Sequence, residues 1–244
     1  MQQRVMLIVG AGDFIGAAIA RKFAAEGFAV ALGRRHGDKL QPLVAELQAA
    51  GAVARGFSLD ARDEAQVEAV FATVERELGP LEVVIFNVGA NVSYPIRETT
   101  SRVFRKVWEM ACFAGFLSGR EAAKYMVPRQ RGTILFTGAT ASLRGARGFA
   151  AFASAKFGLR ALAQSMAREL APEHIHVAHL VIDAGVDTAW VRERLQASGA
   201  DPERLPPDSL MSPASVAEAY WTLYRQTPDA WTFELDLRPW RESW

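Results

Sequence analysis

The sequence predicts an α/β fold, a single domain built as a doubly wound parallel sheet with helices on both faces. Three observations predict it. Apolar runs of strand length alternate with longer stretches of helical period along all 244 residues. Several of those runs are apolar at every position, as strands must be when helices cover both sides of a sheet. A glycine-rich turn follows the first run and opens a helix.

Taken in order, residues 5–9 (Val5-Met6-Leu7-Ile8-Val9) form the first strand. The helix expected over 15–26 is closed by Gly27, a residue suited to the left-handed turn at a helix C-terminus. A strand at 29–32 and a helix at 38–50 follow, the latter closed by Gly51. Next come a strand at 54–58, a helix at 65–77, a strand at 83–87 and a long helix at 102–126. A strand at 133–136, a helix at 152–170 and a strand at 177–182 continue the alternation. Residues 189–212 depart from it: they are rich in Pro, Asp and Arg, and are expected to form a mobile substrate lid or insertion. Ser212-Pro213 then opens a helix expected over 215–224, and 232–235 reads as the last strand. No internal repeat or low-complexity tract appears, so residues 1–244 read as one domain.

Composition narrows the function classes. Half the residues are hydrophobic and 23% are charged, enough for a sizeable core and too apolar for a disordered chain. With 28 Lys+Arg against 27 Asp+Glu, the formal charge is +1, without the basic excess that nucleic-acid binding requires. The one cysteine, Cys112, excludes an intramolecular disulfide and fits a reducing compartment. The first apolar run is too short for the core of a signal peptide, and no run approaches the roughly eighteen residues of a membrane span. The expected setting is cytoplasmic, with neither nucleic acid nor membrane as partner.

The most informative motif is Gly10-Ala11-Gly12-Asp13-Phe14-Ile15-Gly16. Glycines at a strand-to-helix turn let the backbone approach a pyrophosphate, and the helix N-terminus meets its charge with free N–H groups. Its position, after the first strand and before a helix, makes it a dinucleotide-site candidate. From this loop onward the chain resembles the short-chain dehydrogenase/reductase family over nearly its whole length. The resemblance implies a Rossmann-type fold and a nicotinamide cofactor. The outer spacing, Gly10 to Gly16, matches the family. Phe14 stands where its members usually carry a further glycine, and here the extra glycine is Gly12.

The resemblance assigns further cofactor positions. Asp60, in Ser58-Leu59-Asp60, looks like the aspartate that contacts the adenine ring. Asn87-Val88-Gly89 resembles the end of the family's Asn-Asn-Ala-Gly stretch, with Phe86 in place of the first asparagine. Val186 and Thr188 resemble the segment that pairs with the carboxamide and phosphates, preceded by Asp183-Ala184-Gly185 in place of Pro-Gly. At the end of the second strand, Arg34 and Arg35 suit the 2′-phosphate of NADP. Asp13, where many NADP-preferring relatives are basic, leaves NAD open.

At the catalytic positions the chain departs from the family. Phe152 takes the place of the tyrosine that exchanges the proton, and Ala139 that of the serine that hydrogen-bonds the reacting oxygen. Cys112 takes that of the asparagine supporting a proton-relay water. Lys156, which the resemblance assigns to the nicotinamide ribose, is kept. A positioned general acid contributes about 10²–10⁴ in rate, and one lost oxyanion donor costs about 10²–10³, so the usual chemistry is impaired. Thr140 and Ser142, close to the missing serine, and Tyr94, in a loop after Asn87, are the hydroxyls considered as replacements; Lys156 is another proton source. Their structural alternatives are loop capping for Thr140 and Ser142, packing or exposure for Tyr94, and ribose binding for Lys156. Cys112 reads as a small hydrophobe. His176 and His179 differ in strand parity, so with His174 they do not read as a metal cluster.

Two functions fit. One is an NAD(P)-dependent oxidoreductase transferring hydride to a carbonyl or from an alcohol through an unusual site. The other is a catalytically silent NADP-binding module acting as a sensor or partner. Non-redox isomerisation or elimination is a third. The resemblance also implies a homodimer or homotetramer pairing through 102–126 and 152–170. The ending Leu237-Arg238-Pro239-Trp240 lacks the glycine-rich character of relatives that form tetramers.

Overall fold

The strands of the computed structural model, which describes residues 3–242, are β1 (Val5–Val9), β2 (Ala29–Arg34), β3 (Ala54–Ser58), β4 (Leu81–Phe86), β5 (Gly132–Thr137), β6 (Ile175–Ile182) and β7 (Glu234–Leu237). They form one parallel sheet in the order β3-β2-β1-β4-β5-β6-β7. Parallel pairing requires a crossover between successive strands, and helices supply it: α1 (Ile15–Ala25), α2 (Gln41–Ala49), α3 (Glu64–Glu77), α4 (Ser101–Trp108), α5 (Ala114–Met126), α6 (Ala150–Leu170), α7 (Ala189–Ala197) and α8 (Pro213–Tyr224).

Strand periodicity divides the core in two. Met6 and Ile8 of β1, with Val30 and Leu32 of β2, face Ile19 and Phe23 of α1 and Tyr220 of α8. Val5, Leu7 and Val9 face the other way, with Phe86 and Phe136, toward Phe71 of α3, Leu117 of α5 and Leu159 of α6. On the first face, Phe23, Phe28, Trp221 and Tyr224 form an aromatic cluster that ties α1 to α8, with ring centroids 5.3–6.2 Å apart.

Of the differences from the expected elements, three have a clear local cause. Pro42, with no N–H to donate, belongs in the first turn of a helix, and α2 accordingly begins at Gln41 after a 3-10 turn over Gly37–Leu40. The long helix over 102–126 is interrupted by a π turn, Glu109–Phe113, between α4 and α5. β7 starts two residues late because the Gln226 side chain takes Thr232: the Thr232 N–H donates to Gln226 Oε1 at 2.7 Å and Gln226 Nε2 donates to Thr232 Oγ1 at 2.8 Å.

The expected lid region, 189–212, contains α7, none of whose residues is buried. It is tethered by a parallel bridge between Val186 and Met211 and by the ion pairs of Arg192 with Asp187 and Glu203. Among the described residues, no helix is long and apolar enough to cross a membrane.

Candidate active site at the sheet switch point

Strand order reverses between β1 and β4, and in such sheets ligands enter the crevice beyond the strand carboxyl ends at that point. The glycine loop closes it from below. Gly10 has φ +94°, and a Cβ there would lie 2.7 Å from the Asn87 carbonyl oxygen. A Cβ on Gly16 would lie 2.9 Å from the Ala11 Cα, so the helix could not come as near the loop. Gly12 has nothing within 4 Å of its Cβ position, which leaves the approach to the loop open. Ala17 donates to Gly12 O and Ala18 to Phe14 O, each at 2.9 Å, and the Gly12 N–H is given to Gly10 O; the amides of residues 13–16 are left available to an anion.

Two cavities meet over this loop, sharing Gly10, Gly12, Asn87, Val88 and Gly89. The smaller, of about 280 Å³, is lined by Arg34, Arg35, His36, Asp60 and Arg62. Arg34 Nη1 reaches Asp13 Oδ1 at 2.8 Å, so the acid at the loop is engaged by the base beside it. Asp60 accepts both side-chain donors and the backbone N–H of Arg62, and this neighbour holds its carboxyl below the usual range.

The larger cavity, of about 520 Å³, includes Asp13, Phe14, Ile15, Gly16, Thr188, Ala139, Phe152 and Lys156 in its lining. Lys156 is 2% exposed. Its Nζ donates to Thr137 O at 2.7 Å and Val88 O at 3.4 Å and lies 5.9 Å from the centre of the Phe152 ring. Desolvation lowers its pKa from 10.5 to about 8. Phe152 and Ala139 make an apolar wall beside it. Cys112 lies outside the lining, buried in the π turn, where a Cβ on Gly158 would be 2.9 Å from its Sγ. Burial raises the thiol's pKa, which keeps it protonated.

The hydroxyls considered in place of the tyrosine are not free at this wall. Thr140 lines the cavity, but its hydroxyl lies toward the buried Asp183 carboxylate and helps to hold it ionised. Ser142 is fully buried, and its Oγ accepts the Ala139 N–H at 3.1 Å. Tyr94 is 44% exposed and lines a separate surface cleft with Ile96 and Arg147. Val186 is likewise outside the cavity, engaged by the bridge to Met211. Thr188 lines it while capping α7, its Oγ1 accepting the Val191 N–H. The histidines stay apart: His176 stacks on Trp231 with ring centroids 5.0 Å apart, and His179 meets Glu234 at 2.9 Å on the other face. Burial lowers the His179 pKa to about 4, so its neutral ring donates Nδ1–H to that carboxylate.

Residues 4–198 match the family described as short chain dehydrogenase. The chain belongs to the short chain dehydrogenase family. It is 35% identical over 180 residues to a short-chain dehydrogenase/reductase of Armillaria gallica, covering 72% of this chain and 69% of that one. Among solved structures, it is 57% identical to a short-chain dehydrogenase from Rhodopseudomonas palustris, with TM-score 0.83 and coverage of 97% and 99%. An alcohol dehydrogenase from Thermococcus sibiricus, complexed with 5-hydroxy-NADP, is 27% identical with TM-score 0.85 and coverage of 99% and 98%.

Two features of the site carry no sequence signal that was recognised. Fully buried Tyr220 lies 2.6 Å from Thr137 Oγ1, which donates to Asn87 Oδ1 at 3.0 Å; Asn87 Nδ2 donates to Gly10 O at 3.1 Å. Because the Thr137 proton is spent on Asn87, the Tyr220 phenol is the donor in the first bond. This chain connects α8 to the glycine loop, yet Tyr220 sits inconspicuously in an apolar helical stretch. The second feature is Arg144, whose pairing with Asp183 joins the loops after β5 and β6. A base in one alanine- and glycine-rich loop and an acid in the other were the hint.

Proposed function

We propose that the chain is an NADP-dependent oxidoreductase that exchanges hydride with a small carbonyl or alcohol through a non-standard active site. The observation that carries this reading is Lys156: a buried ammonium opens onto a cavity continuous with a glycine loop and a second, arginine-lined cavity. The residues present fit a nicotinamide dinucleotide. The open space over Gly12 and the first-turn amides of α1 would take the diphosphate. Arg34 and Arg35 would take the 2′-phosphate, and Lys156 the nicotinamide-side ribose. The NADP analogue in the Thermococcus sibiricus relative supports the same choice of cofactor.

When bound, that cofactor supplies or accepts the hydride. The chain's own contribution is positioning, exclusion of water by the Phe152 and Ala139 wall, and a proton held on Lys156 Nζ. A group with a pKa of about 8 is protonated at neutral pH and close enough to it to exchange that proton. Phe152, Ala139 and Cys112 then stand in the tyrosine, serine and asparagine places, a departure that slows the reaction without removing the cofactor. Cytoplasmic reduction or oxidation of a small molecule by a homo-oligomer completes the reading.

A second reading, a cofactor-binding module without turnover, is favoured by the placing of Thr140 and Ser142 against neighbouring groups and by the absence of Tyr94 from the cavity lining. One experiment separates them: pure protein assayed with NADPH and a broad carbonyl panel, and with NADP⁺ and the matching alcohols, beside the double variant Phe152→Tyr, Ala139→Ser. Turnover by the unaltered chain, lost in Lys156→Met, supports the oxidoreductase. Nucleotide binding with no turnover, and activity gained only by the double variant, supports the silent module.

A further inference from the structure

We propose that Arg144, fixed by Asp183, is the receptor for a carboxylate on the substrate, so that the molecule reduced or oxidised here is an organic acid with an apolar body. This rests on the reading of the larger cavity as the substrate end of a nicotinamide site.

Arg144 lies in the loop after β5 and lines the cavity beside Ala146, Phe149 and Phe152. Its Nη1 and Nη2 each donate to one oxygen of Asp183 at 3.0 Å, a two-point contact that sets the plane of the guanidinium. Asp183 is only 1% exposed. Burial alone would raise its pKa, but hydrogen bonds from Thr140 and Arg144 and the nearby Arg238 outweigh it and keep the carboxyl ionised. The acid therefore acts from behind the wall as an anchor. The Arg144 side chain remains 43% exposed, and its Nε–H and outer Nη–H groups have no partner among the described residues.

Charge and surface at this end of the cavity point to the same ligand. The charged side chains lining the cavity are Asp13, Arg144 and Lys156, and Asp13 is engaged by Arg34 at the glycine loop. What faces the Phe149 and Phe152 wall is thus cationic, while the wall itself is aromatic and alanine-rich. An aliphatic or aromatic body would lie against the wall, and a carboxylate would take the unpartnered donors of a guanidinium that cannot give up its proton. Arg144 is a specificity-determining residue in this proposal, and the reacting carbonyl or alcohol stays beside Lys156.

The test is a titration of the protein, with and without saturating NADP⁺, using benzoate, 3-phenylpropanoate and benzoylformate against their primary amides. The acids are expected to bind at least about tenfold more tightly than the amides. In Arg144→Gln that preference is expected to vanish. Because this variant removes the two-point partner of the buried Asp183, the neutral pair Arg144→Gln, Asp183→Asn is measured alongside and is expected to fold and to lack the preference. Equal binding of acids and amides by the unaltered chain overturns the proposal, as does acid preference surviving in the double variant. NADPH affinity, read separately by nucleotide fluorescence, distinguishes the other failures. A loss of NADPH binding in the double variant as large as its loss of acid binding overturns the proposal by assigning Arg144 to the cofactor. Acid preference without any nucleotide binding supports the receptor and removes the oxidoreductase reading instead.

Discussion

Lys156 holds its ammonium against two backbone carbonyls in a place water scarcely reaches, and nucleotide binding is therefore expected to depend on pH. Desolvation lowers its pKa to about 8, so the ammonium is complete below that pH and lost above it. NADPH affinity, measured by fluorescence titration from pH 6.5 to 9.5, is expected to fall about tenfold as pH rises through 8, as a charge-assisted contact becomes a neutral one. Lys156→Met is expected to bind more weakly with no such step. For stability the sign is opposite. The native state holds this proton less tightly than the unfolded chain, so the burial cost is full below pH 8 and fades toward 10.5. Arg34 and Arg35 make a second prediction at this scale: replacing both with alanine is expected to weaken NADPH about 10–100-fold and leave NADH nearly unchanged, read as the ratio of the two dissociation constants. Lys156 and Phe152 were visible through the resemblance to the family's tyrosine-lysine spacing, and the arginine pair through its place at the end of the second strand. The sequence could not reveal that Arg144 turns to Asp183, since that depends on two loops brought together only by the pairing of β5 with β6.

Elements position these residues, and the α4–π–α5 segment shows how tightly. The apolar spacing over 102–126 announced a helix but carried no mark of the π turn at Glu109–Phe113, because residues 110–117 are apolar or glycine at every position and a one-residue shift of face leaves no trace among them. The turn brings Cys112 against Gly158 of α6, the helix that carries Lys156 and Phe152. Gly158→Ala is therefore expected to destabilise the fold by about 1–2 kcal/mol, overpacking outweighing the gain in helix propensity. Adding Cys112→Ala is expected to restore most of that loss, and urea unfolding of the single and double variants checks both. The displacement of β7 has a similar cause. An alternating apolar pattern does not distinguish strand residues from those clamped by a side chain such as Gln226.

For the whole molecule, the doubly wound parallel sheet was legible from the alternation of runs, since crossover helices must connect parallel neighbours, whereas the strand order that sets the switch point came only from the pairing itself. Association was implied by resemblance alone, and the surface supports it. Phe104, Trp108, Phe116 and Phe157 are each about two-fifths exposed on α4, α5 and α6, and Trp108, Phe113 and Phe116 form a stacked series with centroids 6.0–6.1 Å apart. An apolar face of this kind is suited to a second copy of the chain. Light scattering is expected to give a dimer or tetramer for the unaltered chain and a folded monomer for Trp108→Glu, Phe157→Glu. A monomeric unaltered chain would reject the pairing. The account as a whole depends on the two joined cavities holding one nicotinamide dinucleotide per chain, with the arginines choosing its phosphate. Calorimetric titration of the purified protein with NADPH and with NADH tests this most directly. One site per chain with NADPH at least about tenfold tighter is the expected result; binding of neither nucleotide, or equal affinity for both, would contradict it.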